Sequence, residues 1–260
     1  MTGRSMAGWA GMASIVALGA VTGSARRLVL LLAACLAALP WVAAAAGNAA
    51  PHHAEGAVLP TFDYEPPAPG TYTLPDIAPS PPGTVLDSEG RQHPLARFTS
   101  GRLTLLSFIY TRCSDRLGCP FASAVLGQVA DALSHDARLA PHARLLSLSF
   151  DPSHDTPAVM AAFRGRDAVA AETGPAVEWA FLTTASAAAL NPILEGYDQH
   201  VAPDFDAAGA PTGDYSHLLK VLLLDRRGQV RNIYGVAYLD PRLLLADMET
   251  LLIEETRPRP

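Results

Sequence analysis

Two stretches of this chain are apolar almost without interruption over the length of a strand: Leu103–Tyr110 (LTLLSFIY) and Arg144–Phe150 (RLLSLSF). Runs without polar alternation predict strands covered on both faces at the centre of a sheet. A third run, Leu218–Leu224 (LLKVLLL), leads through Asp225-Arg226-Arg227-Gly228 into Gln229–Tyr234, which predicts a β-hairpin. Between the runs the apolar period lengthens to that of a helix. Val125, Leu126, Val129, Ala130 and Leu133 predict a helix over Pro120–Ser134, with proline in its first turn. A second helix starts over Pro157–Phe163, a third covers 185–198 with Pro192 opening or kinking it, and Pro241–Glu255 closes the chain as an amphipathic helix. Residues 199–216 read as a long loop.

The order strand, helix, strand, helix, then helix, hairpin and last helix is an α/β arrangement of thioredoxin-like type. It predicts a central mixed sheet with helices on both faces. Three regions follow: residues 1–46, a Pro-rich stretch over 47–85, and a folded domain over 86–256. Residues 1–46 contain no acid, and Arg26-Arg27 precede a leucine-rich run ending in Ala43-Ala44-Ala45. That is the pattern of a signal peptide with a small-residue cleavage site, or of a membrane anchor. Cys35, in Leu32-Ala33-Ala34-Cys35, has the shape of a lipoprotein box but reads more simply as a small hydrophobe in the run. The expectation is an exported, periplasmic protein, either soluble after cleavage or membrane-associated through its N-terminus. Residues 51–85 hold nine prolines and predict an extended, weakly ordered lead-in.

Charge narrows the function. The formal net charge is −6, with Lys220 the sole lysine among 19 basic residues, and removal of residues 1–46 takes away three arginines and no acid. Such a chain lacks the basic face of a nucleic-acid binder. Two cysteines then remain, Cys113 and Cys119. In an exported protein a close pair forms a disulfide or serves as a metal or redox pair. Cys113 falls just past the carboxyl end of the first buried strand and Cys119 at the start of the first helix, where the helix dipole favours a thiolate. The two sulfurs are therefore expected to be exposed, close together and activated. A structural disulfide would close a very small loop and staple little. His217, ahead of the third strand, belongs to the loop that faces this turn in a thioredoxin-like sheet. Two thiolates and an imidazole suit Cu(I), accept Cu(II), and take Zn(II) with a fourth ligand.

These segments resemble the Sco/SenC family, thioredoxin-fold copper chaperones of cytochrome c oxidase assembly. The resemblance runs from about Leu74 to Leu252 and rests on four pieces in order. Gly90 and the first buried strand lead into Thr111-x-Cys113-x-Asp115 and Cys119-Pro120. Ser149-Phe150-Asp151-Pro152-x-x-Asp155-Thr156-Pro157 matches the family's D-P-x-x-D-T-P. Trp179-Ala180-Phe181-Leu182-Thr183 follows, and His217 stands eight residues before Asp225. The resemblance implies Cys113, Cys119 and His217 as ligands of copper, Cu(I) or Cu(II), with Asp115 as a nearby orienting acid. It implies a cytochrome oxidase subunit or another periplasmic copper protein as partner. Asp155 is expected to cap the helix that Pro157 opens, and Asp151 to hold the strand-end loop. One departure stands out: the family spaces its cysteines as C-x3-C, and here the spacing is C-x5-C, with Arg116-Leu117-Gly118 in the widened loop. Gly118 permits the return, and Arg116 could lower the thiol pKa values.

Two functions compete on these residues: a copper chaperone, and a thiol-disulfide oxidoreductase that reduces cysteines of a periplasmic partner. The second does not need His217. Among the other histidines, His52-His53, His135, His142 and His154 read as solvated, and His200 has the best claim to be an extra ligand.

Overall fold

A computed structural model describes residues 62–167 and 177–256. The predicted signal or anchor segment, Cys35 and His52-His53 lie outside the described residues. Strands β4 (Leu103–Ile109) and β5 (Ala143–Ser149) run parallel at the sheet centre, and all seven residues of each are buried. Because side chains alternate between faces, this means that both faces of the sheet are covered here. The six-stranded sheet has the order β1-β10-β9-β4-β5-β6. It comprises β1 (Ala78–Pro79), β6 (Trp179–Leu182), β9 (Val221–Leu224) and β10 (Gln229–Tyr234) besides the central pair. β6 is parallel to β5, whereas β9 runs antiparallel to β4 and β10 antiparallel to β9, so the sheet is mixed as expected. A separate small hairpin, β2 (Thr84–Leu86) with β3 (Gln92–Pro94), meets β6 through a Leu86–Thr183 bridge.

The helices are α1 (Ala96–Thr99), α2 (Cys119–Ser134), α3 (Pro157–Asp167), α4 (Ala187–Gly196) and α5 (Pro241–Thr256). α2 packs against β4, β5 and α5, burying Phe121, Ala122, Val125, Leu126, Val129 and Leu133. Ser186 caps α4 by accepting from the Ala189 amide, and Pro192 lies inside that helix rather than opening it. No helix among the described residues is long and apolar enough to cross a membrane.

Two expectations need correction. Residues 70–80 are not a loose lead-in but a strap across α5 and β10. The Tyr72 hydroxyl donates to buried Asp247 at 2.5 Å, and the Arg231 guanidinium donates to the carbonyls of Leu74 and Pro75. Proline suits such an edge because it lacks the amide that an inner strand must donate. The second correction concerns the third apolar run, where the strand covers Val221–Leu224 alone and Leu218 is 74% exposed. The residues before it are not loop. Val201–Phe205 (β7) and Pro211–His217 (β8) pair antiparallel as a hairpin of their own. Composition hid it, since both strands carry polar residues, prolines and a glycine instead of an apolar alternation.

Candidate metal centre

The site is built where β4 ends. Asp155, fully buried, receives four donors from three places: the Thr111 amide (3.0 Å), the Thr111 hydroxyl (2.5 Å), Ser149 Oγ (2.5 Å) and His154 Nδ1 (3.0 Å). It thus ties the ends of β4 and β5 together immediately before the cysteine loop. It does not cap α3. Thr156 stands there instead, its carbonyl accepting from Met160 and its hydroxyl from Val159. Asp151 holds the strand-end loop as expected, its carbonyl accepting from the amides of His154 and Asp155.

From Cys113 the chain makes a short excursion and returns at Cys119, the first residue of α2. Asp115 shapes it, its carboxylate accepting from the Leu117 amide (3.0 Å) and its carbonyl from the Gly118 amide (3.0 Å). Asp115 is exposed and serves the loop's turn. Gly118 is required by space and not by handedness, for its φ is −92°. A Cβ there would stand 3.2 Å from both Cys113 Sγ and the Asp115 carbonyl.

Both cysteines are free thiols and, against expectation, both are buried, Cys113 at 6% exposure and Cys119 at 2%. They are hydrogen-bonded to each other and electrically unequal. The bond from Cys119, then the backbone amides of Cys119 and Asp115 and the Tyr110 hydroxyl, together outweigh burial and lower the Cys113 pKa to about 6. The Cys119 thiol is pushed well above its ordinary value by that same bond and by burial. So the Cys119 amide at the start of α2, with the Asp115 amide of the loop, serves the cysteine outside the helix. Alkylation of the reduced chain should therefore single out Cys113, with a rate midpoint near pH 6. In Cys119→Ala the midpoint should move up toward the ordinary thiol value, and in Gly118→Ala it should rise as the new methyl pushes the sulfur from its amides. An unmoved midpoint in both variants would contradict this arrangement.

His217 arrives on the far strand of the hairpin. Its ring packs against Phe150 (centroids 4.8 Å apart) and Tyr110 (6.0 Å), and Tyr110 in turn bonds Cys113. Nδ1 lies 3.3 Å from the Tyr215 carbonyl, which can only accept, so the proton of the neutral ring belongs on Nδ1. This leaves the Nε2 lone pair available, and Nε2 is buried without a hydrogen-bond partner. A buried, unsatisfied ring nitrogen on the same side as two thiols, one aromatic ring from them, supplies donor types that fit a soft metal ion. The three do not yet form a closed set: among the described residues no group of three or more His, Cys, Asp and Glu side chains is placed to hold a metal. The thiols are together, and His217 stands one aromatic ring away. His200 does not join them, being 92% exposed and paired with Asp198. Sequence reasoning missed Tyr110, Phe150 and Tyr215, the aromatic wall between β8 and the cysteines; the apolar run containing Tyr110 marks it as core and says nothing of its hydroxyl.

Comparison with known proteins places this geometry in a family. A family model for SCO1/SenC matches residues 81–253. The structure of Arabidopsis thaliana ScoI with copper bound is similar at a TM-score of 0.56 and 16% identity, covering 68% of this chain and 99% of that one. Bradyrhizobium japonicum ScoI with copper bound gives 0.51 and 23%, covering 66% and 98%. BsSco, described as a member of the Sco family of cytochrome c oxidase assembly proteins and as having a disulfide switch, gives 0.52 and 20%, covering 69% and 98%. No curated protein matches significantly. These likenesses carry the fold, and the family model, spanning more than half of the 260 residues, carries the membership: the chain belongs to the SCO1/SenC family.

Proposed function

We propose that the protein is an exported copper-binding chaperone, which takes one copper ion through Cys113, Cys119 and His217 and delivers it to the copper site of a respiratory cytochrome oxidase. The observation that carries this reading is the orphaned Nε2 of His217, buried beside a dithiol whose first sulfur is ionised near neutrality. A purely structural histidine in that place would find a partner for both ring nitrogens. Copper in the related ScoI structures supports the choice of metal. The cargo is Cu(I) or Cu(II), held by two sulfurs and one nitrogen. The N-terminal segment supports a periplasmic place, soluble or membrane-associated, with an oxidase subunit or another periplasmic copper protein as acceptor. Anaerobic copper titration tests it: the wild-type chain should retain one ion, and His217→Ala should lose retention while keeping Cys113 as the reactive thiol. No retained copper in the wild type would overturn the reading.

The inequality of the two thiols supports a second reading, a thiol-disulfide oxidoreductase. Cys113 thiolate would attack a partner's disulfide, and Cys119, losing its proton, would resolve the mixed disulfide. The partner gains two electrons and leaves as a dithiol, while Cys113 and Cys119 form a disulfide. His217→Ala should leave that exchange intact.

A further inference from the structure

The β7–β8 hairpin has its own two-stranded sheet, and the burial of β8 alternates from Thr212 to His217. Gly213, Tyr215 and His217 share the half-buried face, as the twofold period of a strand demands. Each of the three meets the cysteine side of the molecule. A Cβ on Gly213 (φ +89°) would stand 3.1 Å from one terminal nitrogen of Arg112 and 3.6 Å from its Cζ, so the guanidinium lies against the bare backbone of β8. The same guanidinium donates to Asp151 Oδ2 at 2.7 Å. The Asp151 side chain is 1% exposed and also accepts from Ser153 Oγ (2.5 Å), and the Tyr215 hydroxyl lies within its electrostatic reach. The Tyr215 ring stands edge-on to Tyr110 (5.3 Å) and Phe150 (5.6 Å), the two rings that also flank His217. Arg112 immediately precedes Cys113, and Tyr215 lies two residues before His217.

We propose that Arg112, Asp151 and Tyr215 form a clamp that registers the His217 hairpin against the cysteine loop, making all three positioning residues for copper although none of them donates to it. This rests on the proposed copper site. A buried carboxylate paired with Arg112, with that guanidinium against the bare backbone of Gly213 and the Tyr215 hydroxyl nearby, couples these segments more tightly than apolar contact, because releasing Arg112 leaves its charge unpaired. The base of the hairpin is held separately, by Gln199 Nε2 donating to the Leu218 carbonyl at 3.1 Å. Breaking the clamp therefore frees the His217 face without unfolding the domain.

The test uses Tyr215→Phe, which keeps the ring and removes the hydroxyl, and Arg112→Gln, at a half-exposed side chain. In the metal-free reduced chain, amide exchange over 211–217 should accelerate about tenfold or more in both variants, while β4 and β5 keep their protection. In the copper(II)-loaded chain the imidazole nitrogen splitting in the electron paramagnetic resonance spectrum should weaken in both. Unchanged exchange over 211–217, exchange that rises equally across β4 and β5, or an unchanged nitrogen signature would each overturn the clamp. If the wild-type chain holds no copper, the copper reading fails by itself and the exchange measurement still decides whether the clamp exists.

Discussion

Copper loading of the reduced chain at pH 8 is expected to release about one proton per ion, and to be abolished in Cys113→Ser and Cys119→Ser. The count follows from the inequality of the sulfurs. Metal binds thiolate, so every ligand thiol still protonated must shed its proton on loading. With its pKa lowered to about 6, Cys113 has already lost its proton at pH 8, whereas Cys119, pushed well above the ordinary value, keeps its own. Two ordinary thiols of pKa 9.0 would release nearly two. The sign of the pH dependence follows. Between about pH 6 and the Cys119 pKa, apparent affinity should climb by roughly one decade per pH unit, and it should fall more steeply below pH 6 as Cys113 also takes up a proton. Calorimetry in buffers of differing ionisation enthalpy reads the proton count directly. A value near two would show that the bond between the thiols does not set their order. Loss of either sulfur removes half of the soft donors, so the drop should exceed the ~10–100-fold seen when a residue merely supporting a ligand is replaced.

Asp155→Ala should be the most damaging single change near the site that touches no metal donor. The carboxylate is wholly enclosed and accepts from a backbone amide, two hydroxyls and an imidazole. Alanine leaves the Thr111 amide and both hydroxyls buried without an acceptor, each costing ~1–3 kcal/mol. A loss of at least about 3 kcal/mol is therefore expected, a fall of roughly 6–12 °C in melting temperature for a domain of this size. Thermal unfolding of the metal-free chain measures it. Because Thr111 opens the cysteine loop, the alkylation midpoint of Cys113 should also move up. A melting temperature within 2 °C of wild type would mean that water replaces the carboxylate, against the zero exposure of that side chain.

The departure in cysteine spacing bears on both results. Two further residues widen the loop, yet Asp115 folds it back through a side-chain turn, and the missing side chain of Gly118 lets Cys113 approach the start of α2. The expected help from Arg116 is not needed to explain the activated sulfur, whose largest stabilising contribution is the Cys119 thiol.

How much of this was legible beforehand depended on the range of the interactions involved. The buried strands, the helices and the positions of Cys113 and Cys119 at a strand end and a helix start followed from apolar period and from proline and glycine placement, which act over a few residues. The D-P-x-x-D-T-P segment and the cysteine pair carried the family resemblance. The burial of the sulfurs is not legible in local pattern, because it is set by packing in the core cluster and not by position at a strand end or helix start. The hairpin is not legible in local pattern, since its strands carry polar residues and prolines, and its half-buried face meets Arg112, Tyr110 and Phe150, all distant in the chain. The same holds for the proline-rich strap, whose order comes from Arg231 and Asp247.

By itself, then, the sequence determined the fold class and the family and marked Cys113, Cys119 and His217 as candidate donors, because each is written in local pattern or in contiguous motif. Tertiary structure alone decided which thiol has the lowered pKa, which nitrogen of His217 is left open and which rings that histidine packs against. Those properties arise from contacts among the cysteine loop, the start of α2, the ends of β4 and β5, and β8, and the pKa of a group or the partner of a ring nitrogen is set by whatever folding brings within a few ångströms.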